Sequence, residues 1–131
     1  MAWSITDQSL FVPVRLANPL LDTEYPTDGL VMAALDTGYT GFILIPRAIF
    51  RSLKLDELKP IVTKGQLADG RSIELRAAYG VLGIPELGFE DEGLVETNPD
   101  ITEILLGMRA MRRLKITVDG CKRFFMMERC K

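Results

Sequence analysis

A chain of 131 residues, 47% of them apolar, has the length of one domain and can bury a single core, so one domain spanning residues 1–131 is expected. Its formal net charge of −2 supplies no basic face for nucleic acid. The sequence contains no His, which removes Ser-His and Cys-His catalysis along with the commonest zinc ligand, and no metal or cofactor is expected.

Residues 1–7 lack a basic segment followed by an apolar one, so no signal peptide is expected, and no apolar run is long enough to cross a bilayer. Two Cys, Cys121 and Cys130, fit no metal-binding spacing; so few thiols suit a reducing compartment, although a disulfide across a terminal hairpin stays open. The expectation is a cytoplasmic protein with neither a membrane nor a nucleic acid as partner.

The first element, Leu10 to Leu16, is rich in branched and aromatic residues and predicts a strand that Pro13 confines to an edge or a bulge. Turn chemistry follows at Asn18-Pro19 and at Tyr25-Pro26-Thr27-Asp28-Gly29. Val31 to Leu35 and Phe42 to Ile45 show no alternation and predict strands buried on both faces.

Between those two runs stands Asp36. A lone carboxylate in apolar surroundings shifts its pKa or finds a partner, so Asp36 either faces solvent at a turn or belongs to a site that uses it. Thr37 adds a hydroxyl, and Gly38 permits positive φ and close approach by another chain.

Pro46 suits the start of a helix whose apolar stripe is Ile49, Phe50 and Leu53 and whose end falls near Lys54. Ile61-Val62-Thr63 and Ser72-Ile73-Glu74-Leu75 flank Asp69-Gly70, a strong hairpin signal because a type I′ turn needs positive φ at both centres. From the residues alone this hairpin is equally a surface feature or a substrate cover.

Ala77 to Leu87 predicts further strand, broken at Gly80, Gly83 and Pro85. Glu86, Glu90, Asp91, Glu92 and Glu96 predict a solvated acidic loop, with substrate selection as the other reading. After Gly107, Met108, Met111 and Leu114 lie on one helical face, with Arg109, Arg112 and Arg113 on the other. Ile116 to Val118, the turn Asp119-Gly120, and Arg123 to Met127 predict a terminal hairpin. Its apolar run Phe124 to Met127 needs cover, for which a second copy of the chain is the natural candidate.

Leu35-Asp36-Thr37-Gly38 resembles the active-site motif of aspartic peptidases, and the chain length resembles their retropepsin-like, single-lobe branch. A second landmark of that family, aliphatic residues followed by Gly and a short helix, matches Ile104-Leu105-Leu106-Gly107 and the segment to Leu114. The resemblance runs from about Leu10 to Asp119. Family members often carry an acidic residue after the Gly-Met pair, where this chain has Arg109.

The resemblance implies a mostly β fold, a closed retropepsin-like acid-protease barrel lobe with one or two short helices. It implies an aspartic endopeptidase acting on a peptide or protein substrate, with Asp36, Thr37 and Gly38 catalytic and the Asp69-Gly70 hairpin as a flap. Substrate-binding positions would be Tyr39, Leu67, Ala68, Asp69, Gly70, Leu105 and Leu106. Because Asp-Thr-Gly occurs once, one chain has half of the acid-base pair, and a homodimer is implied. Two rival readings stay open. One is a catalytically inactive dimeric module of the same fold that binds peptides or a partner protein. The other is a single-chain barrel in which Asp36 caps a tight turn.

Overall fold

The computed structural model describes residues 1–7, 9–66 and 70–131. Its elements in chain order begin with β1 (Ala2–Ser4), β2 (Phe11–Asn18), β3 (Thr23–Tyr25), β4 (Val31–Leu35), β5 (Ile43–Pro46) and helix α1 (Arg47–Ser52). There follow β6 (Ile61–Gln66), β7 (Ser72–Ile84), β8 (Phe89–Asn98), β9 (Leu105–Leu106), helix α2 (Met108–Met111), β10 (Leu114–Asp119) and β11 (Phe124–Arg129). The fold is mostly β, as expected.

One sheet runs in the order β3-β2-β4-β9-β5-β8-β7-β6, and β2 pairs with β7 as well. That second pairing joins strands from the two halves of the order, so β2, β4, β9, β5, β8 and β7 form a ring. Val12, Val14, Leu16, Phe42, Ile43 and Ile45 fill it, each at most 2% exposed. On the outside α1 lays Phe50 against this core, and Leu53 just beyond the helix does the same. Each such side chain stabilises the fold by roughly 1.5–3 kcal/mol.

The expected edge position of Pro13 holds locally. Residues 11–14 of β2 pair with β4 alone, whereas Arg15 to Ala17 pair with β7 and Leu16 to Asn18 with β3. A residue without an N–H is therefore tolerated there, where no second ladder asks for one. In β4 the expectation of burial on both faces fails at Met32, which is 51% exposed, while Ala33 and Ala34 are buried.

Several other expectations are corrected. Gly80 and Gly83 do not break a strand: β7 runs unbroken to Ile84 and pairs with β8 from Arg76↔Thr97 to Ile84↔Phe89. Gly80 is there for room, since a Cβ would stand 2.9 Å from a Val95 methyl and 3.2 Å from the Ala17 carbonyl oxygen. The acidic segment after Pro85 is strand β8, not a loop, with Val95, Glu96 and Thr97 all buried.

Helix α2 is shorter than the pattern suggested, and its inward residues are Ala110 and Met111, with Met108 47% exposed. Leu114 already belongs to β10, which with β11 and β1 makes a separate three-stranded antiparallel sheet. Within that sheet Phe125 and Met127 are fully buried by the chain's own core, with the Trp3 ring tilted against Phe125 at 5.4 Å between centroids. Alternation along β11 leaves Met126 as the exposed residue of the apolar run.

Candidate active site

Strand β9 lies between β4 and β5, parallel to the first (Ala34↔Leu105, Leu35↔Leu106) and antiparallel to the second (Ile43↔Leu106, Leu44↔Leu105). Residues 36–42 therefore have to leave β4, cross the end of β9 and re-enter at β5. Two strands flanking a third are about 10 Å apart, so the loop cannot be a tight hairpin and must find its own hydrogen-bond partners.

Those partners come from the segment it crosses. Asp36 N–H donates to the Leu106 carbonyl at 2.9 Å, and Gly107 N–H donates to the Phe42 carbonyl at 2.9 Å. Met108 N–H donates to the Tyr39 carbonyl at 2.8 Å and Arg109 N–H to the Gly41 carbonyl at 3.1 Å. The first N–H groups of α2, unsatisfied within any helix, are thus used by the loop carbonyls.

The crossing explains Gly107. It is buried, and a Cβ built on it would collide with the Gly41 carbonyl oxygen and stand 2.6 Å from Tyr39 Cδ2 and 2.7 Å from the Tyr39 carbonyl oxygen. Two of those three neighbours are backbone and cannot swing aside.

At the tip of the loop Asp36 is half-buried, while Thr37 and Gly38 are exposed. Gly38 N–H donates to Asp36 Oδ1 at 2.9 Å, and a Cβ at Gly38 would lie 3.2 Å from that same oxygen. The loop thus fixes one oxygen of the carboxylate, and the other, Oδ2, has no hydrogen-bond partner among the described residues. Two concavities of about 340 and 420 Å³ lie elsewhere, one beside α1 and the β6–β7 arm and one between β2 and the start of β8; Asp36 lines neither.

The remaining expected site positions are distributed as follows. Leu105 is half-buried and Leu106 is fully buried in the core. Gly70 is exposed at φ +88°, which fits a turn that needs the left-handed region. Leu67, Ala68 and Asp69 lie outside the described residues. The two arms of their hairpin are paired from Ile61↔Ala77 to Gln66↔Ser72, and β6 has β7 as its sole ladder partner among the described residues.

Tyr39 turns inward. Its hydroxyl donates to Glu96 Oε1, and the Thr63 hydroxyl donates to Glu96 Oε2. Glu96, on β8, is 7% exposed. Burial, and then the hydrogen bond and charge of Glu96, push the Tyr39 phenol well above its ordinary value. Gly41 makes room for this pair, because a Cβ there would meet the Tyr39 hydroxyl and stand 2.5 Å from Glu96 Oε1.

Sequence reasoning assigned no role to Thr63 or Gly41 and grouped Glu96 with an acidic cluster read as solvated or substrate-selecting. The sequence carried little signal for its burial: Leu94 and Val95 precede Glu96, but polar Thr97 and Asn98 follow it. Among the described residues no group of three or more His, Cys, Asp or Glu side chains is disposed to hold a metal ion.

The fold is retropepsin-like. A crystal structure of a retropepsin-like aspartic protease from Rickettsia conorii is similar with a TM-score of 0.69, over 97% of this chain and 88% of that one, at 17% identity. No family model matches the sequence. A protein of Archaeoglobus fulgidus, described as uncharacterized, is 39% identical over 119 residues, which span 91% of this chain and 93% of that protein.

Proposed function

We propose that this chain, which belongs to the same family as the uncharacterized Archaeoglobus fulgidus protein, is an aspartic endopeptidase that works as a homodimer. The observation that carries the reading is the Asp36 loop, whose backbone is clamped by residues 104–109 and whose half-buried carboxylate has Gly38 N–H on one oxygen and no partner on the other among the described residues. The aspartic protease of Rickettsia conorii supports it by likeness of fold.

Hydrolysis of an amide needs a base to take a proton from water and an acid to give one to the leaving nitrogen. With no His in the chain, two carboxylates held together can do both, because like charges ~3 Å apart do not both ionise and the pair retains one proton. A two-fold axis through the Asp36 loops would bring the two carboxylates together. The ionised member takes a proton from a water lying between them, the water oxygen attacks the scissile carbonyl, and the protonated member serves the departing amine. Thr37, exposed beside the axis, would bond across it, and Gly38 would let the substrate backbone pass close. An extended peptide would lie between the loops and the β6–β7 arm, with Gly70 and Leu105 as candidate contacts, whereas Leu106 is buried in the core and Tyr39 is turned toward Glu96.

The test is Asp36→Asn, assayed on a denatured protein across acid to neutral pH, with sedimentation alongside. Asn matches Asp in shape but cannot carry the shared proton, so cleavage should fall by about 10²–10⁴-fold while the dimer persists. A wild type that binds the unfolded protein and cuts nothing would transfer the fold to a peptide-binding module. A wild type that stays monomeric at high micromolar concentration would end the homodimer reading.

A further inference from the structure

The β6–β7 arm and the Asp36 loop share no ladder, yet both reach the same buried carboxylate. β6 pairs with β7, and the loop is held by residues 104–109. Glu96 lies on β8 with Ala77 of β7 on one side and Leu44 of β5 on the other, so its own strand is fixed in the ring. From there Oε1 receives the Tyr39 hydroxyl and Oε2 the Thr63 hydroxyl.

A Glu is rarely this buried without a cation beside it, and no Lys or Arg nitrogen forms an ion pair with Glu96 among the described residues. If the position served packing alone, a Leu or Met would fill it without desolvating a charge. What a carboxylate adds is acceptor capacity on two oxygens pointing apart, which suits two hydroxyl donors arriving from two different elements. Hydrogen bonds meeting at one low-dielectric acceptor also depend on one another: loss of one donor leaves the carboxylate to relax toward the other.

We propose that Glu96 is a positioning residue that couples the β6–β7 arm to the loop bearing Asp36, through Thr63 on one oxygen and Tyr39 on the other. The inference rests on the endopeptidase reading for its effect on catalysis and on the geometry alone for the coupling. A shift of β6 on substrate binding would carry Thr63 with it. Glu96 then passes the constraint to Tyr39, three residues beyond Asp36. A small displacement of a catalytic group is enough to matter, since about 1 Å of misplacement can cost 10²-fold in rate.

The variants are Tyr39→Phe, Thr63→Val, their combination and Thr63→Ser, each in the full chain. Each of the first two should lower kcat on a cleaved peptide about 10-fold with KM little changed, and the double variant should be no worse than the singles, because either change breaks the same link. Thr63→Ser, which restores the hydroxyl, should regain most of the rate. Hydrogen exchange read over residues 61–66 is independent of activity, and it should quicken in Tyr39→Phe although Tyr39 makes no backbone bond to β6. Losses that multiply to about 100-fold, or exchange in β6 that ignores Tyr39→Phe, would overturn the coupling. If the wild type proves inactive, the endopeptidase reading fails separately, and the exchange experiment still decides whether the arm and the loop are linked.

Discussion

The Asp36 loop is held from two sides by different means. On the side of residues 104–109 the contacts are backbone to backbone, and the side chains there are replaceable in principle except where a Cβ has no room. On the side of the arm the contacts are side chain to side chain, through Tyr39, Glu96 and Thr63. A backbone clamp is rigid and indifferent to pH. A clamp of side-chain hydroxyls can be loosened by single-atom changes and by titration of the Tyr39 phenol. One loop therefore has a fixed edge and an adjustable edge.

The largest effect should come from Gly107→Val. The added side chain meets carbonyl oxygens, not flexible tips, so the loop or α2 must move; overpacking of this kind costs about 3 kcal/mol or more. Urea denaturation should show the loss in the midpoint. A folded, dimeric and fully active variant would show that the fixed edge is softer than its geometry.

Next is Gly41→Ala, which strikes the other edge. Its Cβ meets the Tyr39 hydroxyl and Glu96 Oε1, both ends of side chains, so Tyr39 can rotate away at a cost of about 1–3 kcal/mol. If the two edges differ as described, this variant should quicken hydrogen exchange in β6 and leave the amides of residues 107–109 protected. Equal loss of protection at both would erase the distinction.

The smallest effect is in the pH dependence at the alkaline end. Burial and Glu96 raise the Tyr39 phenol above its unfolded value near 10. The folded state thus keeps a proton that the unfolded chain gives up. The contribution is fully present below about pH 10 and declines as pH rises further, because the unfolded state then binds fewer protons than the folded one. Wild type should lose stability more steeply than Tyr39→Phe above that pH, and tyrosinate absorbance that disappears in Tyr39→Phe should develop only well above it. Parallel stability curves would place Tyr39 in an ordinary solvated state.

Much of this was legible in the residues. Branched and apolar runs marked β2, β4, β5 and the β6–β7 arm, and the order Asp36-Thr37-Gly38, then Ile104 to Gly107, pointed to the retropepsin-like lobe before any contact was known. These are features that depend on local pattern and on spacing, which a linear chain carries in full. Gly80 and Gly83 were misread as breaks; at Gly80 a glycine needed for clearance looks the same in sequence as one needed for a turn, and only the crossing of β2, β7 and β8 separates the two, whereas Gly83 has ordinary room for a Cβ. The apolar stretch Phe124 to Met127 was read as awaiting a partner because its cover includes Trp3 on β1, more than a hundred residues away. Glu96 was the deepest miss. Charge pattern along the chain counts an acid among its neighbours in sequence, but whether it is solvated depends on what lies across the sheet. The sequence alone determined β2, β4, β5 and the β6–β7 arm, the single Asp-Thr-Gly motif and its family likeness, since each rests on contiguous residues. Only the tertiary structure could decide that a carboxylate of β8, a hydroxyl of β6 and a phenol beside Asp36 meet at one buried point, because hydrogen bonds form between neighbours in space.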